Sequence, residues 1–107
     1  MSIWHTRNEH QIIKALGATR NGGGADGVMP DGTPFEVREL RISTKFRVQK
    51  NVHKYLVRKG GFYVFKHHSQ IKILDAKEVS KLIGYGRWWI DRRYSYKHLE
   101  LTKVFPE

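Results

Sequence analysis

Glycine divides this chain into short pieces. Asn21-Gly22-Gly23-Gly24 must be a loop, because consecutive glycines lose the most freedom on ordering and offer no side chain to pack. Gly17, Gly60-Gly61 and Gly84 each close an apolar-patterned stretch, the position at which a glycine ends a helix. Pro30-Asp31-Gly32-Thr33 has the composition of a turn. The longest apolar stretches, such as Phe62 to Phe65, are strand-sized and too short to span a bilayer. With 107 residues, no repeat and no linker, the chain has room for one domain and a modest core.

Patterning fills the pieces. Arg7 to Leu16 is expected to be a helix, with Thr6 and Glu9 at capping-box spacing and Ile12, Ile13 and Leu16 as its apolar stripe. Ala18 to Arg20 reads as a short strand, and Ala25 to Met29 and Pro34 to Ile42 as two more. Alternation in the last of these sends Phe35 and Val37 to one face and Glu36, Arg38 and Leu40 to the other. Val48 to Lys59 is expected to be a helix with Val48, Val52, Tyr55 and Leu56 on its apolar side, Lys50, Lys54 and Arg58 on another, and His53 at the surface or rim. Gly61 to Lys66 and Gln70 to Leu74 are strands joined by a His67-His68-Ser69 turn. Asp75 and Glu78 then open a short helix to Ile83. Tyr96 to Phe105 reads either as an added strand or as a tail covering an edge. The expected fold is α/β, one domain over residues 1–107 with a mixed central sheet and flanking helices in the order αβββαββα, and residues 85–107 as an aromatic, basic C-terminal extension.

The net charge is +10, which makes a field attractive to polyanions. Its distribution sharpens the point. No acidic residue lies between Leu40 and Leu74, whereas Arg41, Lys45, Arg47, Lys50, Lys54 and Arg58 all do, and they are the expected nucleic-acid contacts. No broad, greasy basic helix argues for a membrane surface. The absence of cysteine excludes disulfides and thiolate zinc sites, and it fits a reducing, cytoplasmic setting. The N-terminal residues carry His5, Arg7 and Glu9 and show no apolar signal-peptide core.

Cleavage of a phosphodiester by one-metal or two-metal chemistry needs carboxylates gathered around a divalent cation, which activates water and neutralises developing charge. The segment from Gly22 to Arg38 offers that pattern. Asp26 begins one strand of a hairpin, while Glu36 and Arg38 share a face of the next. The glycines beside Asp26 would let a backbone phosphate approach. Asp31 falls within the turn and is the weaker candidate.

An Asp after a glycine-rich loop, then a turn, then Glu-x-basic inside an apolar strand resembles the PD-(D/E)XK nuclease superfamily. The helix bearing Glu9 and the basic stretch, helix and Gly-Gly-aromatic strand from Lys45 to Phe65 extend the likeness to archaeal and viral Holliday junction resolvases. It covers about Arg7 to Leu74. The resemblance implies a restriction-endonuclease-like fold and a Mg²⁺ (or Mn²⁺) ion held by Asp26, Glu36 and the Val37 carbonyl. It also implies support from Glu9, a DNA substrate that is branched, and a homodimer. Arg38 stands where the family usually has lysine. Arginine stays protonated and cannot act as a base, though it can hold a phosphate or orient a water.

Duller readings of the same residues stay open. Capping explains Glu9, a turn beside glycines explains Asp26, and an edge strand's solvated stripe explains Glu36 and Arg38. The chain is then a non-catalytic DNA- or RNA-binding protein, or a small RNA-contacting structural protein. Trp88-Trp89 with Tyr85, Tyr94 and Tyr96 suits a core or dimer interface better than base stacking. His67-His68 suits a hairpin tip better than a metal site.

Overall fold

In the computed structural model, residues 11–20, 25–91 and 94–106 are described. The first helix, α1, is described over 11–15 and ends at Gly17, whose φ of 69° is a backbone setting that a side chain resists. The Thr6–Glu9 capping box lies outside the described residues.

A five-stranded sheet follows. β1 (Thr19–Arg20), β2 (Gly27–Val28) and β3 (Pro34–Leu40) run antiparallel in sequence order. Met29 and Gly32 close the turn between β2 and β3 (Gly32 N–H to Met29 O, 2.9 Å), and the exposed Asp31 carboxylate accepts the Thr33 amide at 3.0 Å. Asp31 is thus a turn residue. β3 then pairs in parallel with β5 (Phe62–His67), and β6 (Gln70–Asp75) closes the sheet antiparallel to β5. The hairpin between β5 and β6 turns at His68, which has φ 56°.

Between β3 and β5 come β4 (Lys45–Gln49) and α2 (Lys50–Lys59). This corrects the expected helix from Val48. Phe46 and Val48 alternate inward in a strand, and the helix starts two residues later. The strand's partner is β8 (Tyr94–Glu100), with β7 (Trp89–Asp91) beyond it, so residues at the C-terminal end build a second, three-stranded sheet. α3 (Ala76–Ile83) opens on the expected Asp75–Glu78 capping box, and α4 (Leu101–Val104) follows β8. Among the described residues the order is αββββαββαββα rather than αβββαββα.

Two buried cores result among the described residues. Ile12 and Ile13 of α1 meet Phe35, Val37 and Val64 on one face of the large sheet. On its other face, Tyr63 and Phe65 join Phe46, Val48, Leu56, Val79, Leu99 and Val104. The residues read as an extension therefore supply part of the second core. Among the described residues no helix is long and apolar enough to cross a membrane.

Candidate active site

The alternation of β3 decides where the chemistry falls. Phe35 and Val37 face α1, so Glu36 and Arg38 face the second core, as their spacing requires. Glu36 lies beside Tyr63 in the parallel register and is 4% exposed. A carboxylate that deep needs partners. It finds them across the β2–β3 hairpin, where its Oε1 accepts the Asp26 N–H at 3.0 Å. Asp26 returns the bond, because its Oδ2 accepts the Val37 N–H at 2.9 Å. The two acids expected to act together are thus clasped together by backbone amides.

Arg38 completes the arrangement. Its Nη2 pairs with Glu36 Oε2 at 2.5 Å, and its Nη1 donates to the Val37 carbonyl at 3.2 Å and lies 3.9 Å from Asp26 Oδ2. Its Nε donates to the Arg47 carbonyl at 3.3 Å, which ties β3 to β4. Burial pushes the Glu36 carboxyl up to about 7 against the pull of the Arg38 guanidinium, and the Asp26 charge adds to the rise.

Arg38 also lines a cleft of about 480 Å³ with Lys45, Arg47, Gln49, Tyr94 and Tyr96, which belong to β4 and β8. The Arg47 guanidinium lies over the Tyr96 ring at 4.1 Å. The basic residues expected to contact nucleic acid therefore separate. Lys45 and Arg47 line the cleft with Arg38; Arg41 is exposed within 3.9 Å of Glu39; Lys54 and Arg58 are exposed on α2 and Lys50 half-buried at its start.

Glu9 and Gly22 to Gly24 lie outside the described residues. Gly27 beside Asp26 serves packing rather than phosphate approach, since a Cβ there would meet the Phe35 ring at 2.5 Å. Among the described residues no group of three or more His, Asp or Glu gathers, so the candidate metal ligands are two carboxylates and a carbonyl. These residues fit a divalent cation in one respect. Glu36 Oε2, Asp26 Oδ2 and the Val37 oxygen already converge on one positive group.

Sequence reasoning missed a second polar cluster. His53, expected at the surface, is 5% exposed, with Nδ1 at 2.9 Å from the Tyr63 hydroxyl and Nε2 at 2.7 Å from Ser80 Oγ. Ser80 Oγ also lies 3.2 Å from the Ala76 carbonyl, so both ring nitrogens of His53 and the Ser80 hydroxyl belong to one buried network. Burial and the Lys97 charge hold His53 below its ordinary value. Lys97 is itself buried, donates to the Gly84 carbonyl at 2.7 Å and stands over the Trp88 ring at 4.8 Å. The signal available in sequence was the i, i+3 spacing of His53 and Leu56 on α2.

No protein-family model matches the chain, and no curated protein matches it.

Proposed function

We infer that this protein is a divalent-metal-dependent endonuclease that cuts phosphodiester bonds in DNA, acting in the cytoplasm on branched, Holliday-junction-like DNA as a homodimer. The observation that carries the inference is the meeting of the Asp26 and Glu36 carboxylates and the Val37 carbonyl around Arg38, a residue that also lines a cleft with Lys45 and Arg47. A hairpin carrying the acids, then a strand reached in parallel through α2, supports the restriction-endonuclease-like class.

Bound Mg²⁺ or Mn²⁺ supplies a Lewis acid and a water of lowered pKa. The chain's own residues do the rest. The Asp26 and Val37 amides fix the direction of both carboxylates. Tyr63 and Phe65, whose rings stack 5.4 Å apart, lie next to Glu36 and Arg38 on the adjoining strand, and burial there makes charge interactions stronger than in water. Lys45 and Arg47 offer backbone contacts, and the exposed Tyr94 ring offers a stacking face for an unpaired base. Two-fold DNA suits a two-fold dimer, for which β6, which ends the five-stranded sheet, presents exposed Ile71 and Ile73.

The test is to incubate labelled four-way junction, duplex and single strand with Mg²⁺ and with EDTA. Paired symmetric cuts in the junction, only with metal, are the expected result. No cleavage of any substrate would leave the second reading, a non-catalytic DNA-binding protein. The observation favouring that reading is the Arg38 guanidinium seated on the carboxylates.

A further inference from the structure

The guanidinium of Arg38 contacts the same three oxygen-bearing groups that a divalent cation would need, the carboxylates of Glu36 and Asp26 and the carbonyl of Val37. One guanidinium already offsets one of the two carboxylate charges, so a metal ion arriving beside an unmoved Arg38 meets both an occupied donor set and a repelling charge. The same side chain is 28% exposed and forms part of the cleft wall, where its planar fork can also take the two oxygens of a phosphate.

We propose that Arg38 is a resident cation that competes with the metal for Asp26, Glu36 and Val37, and that a nucleic-acid phosphate in the cleft opens the metal site by drawing the guanidinium away. This rests on the nuclease reading for its purpose but not for its measurement. Such an exchange couples the two ligands. By whatever factor DNA tightens metal binding, metal tightens DNA binding equally, and without DNA the metal affinity of the free protein is low. The arrangement also differs from a lysine in that position, because a planar fork spans several acceptors at once where an ammonium is a point charge.

The experiment measures Mn²⁺ affinity of the full chain without DNA, from the loss of the free-ion resonance signal, for wild type, Arg38→Gln and Arg38→Gln with Asp26→Asn. Arg38→Gln is expected to bind Mn²⁺ at least tenfold more tightly than wild type, and the double variant to lose that gain. In parallel, four-way-junction affinity is compared with and without Ca²⁺ at fixed ionic strength. Calcium is expected to tighten binding by wild type severalfold and to leave the Asp26→Asn, Glu36→Gln double variant unchanged, which subtracts bulk screening. Should Arg38→Gln lose its folded spectrum, Arg38→Lys replaces it, with a smaller tightening of Mn²⁺ binding expected. Unchanged or weaker Mn²⁺ affinity in the folded Arg38 variant overturns the proposal, as does calcium acting equally on wild type and the acid-free variant. The two ideas fail separately. Tight Mn²⁺ binding by Arg38→Gln without cleavage of any DNA keeps the competition and removes the nuclease. Cleavage by wild type with indifferent Mn²⁺ affinities does the reverse.

Discussion

Asp26 and Glu36 hold each other through the backbone: the Glu36 carboxylate accepts the amide of Asp26, and the Asp26 carboxylate accepts the amide that follows Glu36. Glu36 therefore spends Oε1 on structure and turns Oε2 to Arg38, whereas Asp26 uses the same Oδ2 for the Val37 amide and toward Arg38. Asp26→Asn retains an oxygen for the Val37 amide, so the variant is expected to fold. Its single-turnover cleavage with Mg²⁺ is expected to fall by orders of magnitude, with junction affinity in EDTA unchanged or slightly improved. Asp26→Ala removes the acceptor as well and is expected to cost about 1–3 kcal/mol in denaturant unfolding. Near-normal cleavage by the Asn variant would take Asp26 out of the site.

The division of the basic residues makes a second test. Binding is expected to weaken steeply with salt, as cations that neutralise phosphates release counterions. Reversing Lys45 and Arg47 to Glu is expected to lower the salt slope by about one for each phosphate left unneutralised. Reversing Lys50, Lys54 and Arg58 tests α2, the surface favoured by sequence alone. If only the α2 triple variant loses affinity, the cleft is not where the backbone runs.

The hairpin was legible because its information is local. The turn residues Pro30 to Thr33 and the period of β3 place Glu36 and Arg38 on one face and Asp26 opposite, whatever the rest of the chain does. β4 was not legible, because its partner is β8, some fifty residues away (Val48 pairs with Lys97). Read alone, Val48 with Val52, Tyr55 and Leu56 keeps helical spacing as well as Phe46 with Val48 keeps strand spacing. Only the tertiary pairing decides between them. The same distance hid Lys97 and with it the environment of His53. Arg38 was legible as a departure from lysine, but its seat on three oxygen-bearing groups depends on side-chain reach that no spacing rule encodes.

The core role of the C-terminal strand predicts a stability effect far from the acids. Leu99 is 1% exposed and packs with the buried side chains of the second core. Leu99→Ala is expected to cost about 2–5 kcal/mol through lost burial and the cavity left behind. Denaturant unfolding by circular dichroism measures it. A loss under about 0.5 kcal/mol, the size of a surface change, would mean that β8 contributes little to the core.

His53 gives a pH dependence with a definite sign. Burial first, and then the Lys97 charge, hold its folded value below the ordinary 6.5, so the folded protein takes up its proton later than the unfolded chain does. Its contribution to stability is therefore present above about pH 6.5 and is lost as the pH falls through the folded value. Glu36 runs the other way. Its raised value contributes most below about 4.5 and is lost as the pH rises through about 7, so the overall stability curve mixes the two. Lys97→Met separates them, because Glu36 is common to both proteins while the repelling ammonium near His53 is gone. The imidazole resonances of His53 are expected to titrate at higher pH in the variant than in wild type. The difference in unfolding free energy between the two proteins is expected to shift in the variant's favour as the pH falls below 6.5. An unmoved His53 titration would show that burial alone sets its proton affinity.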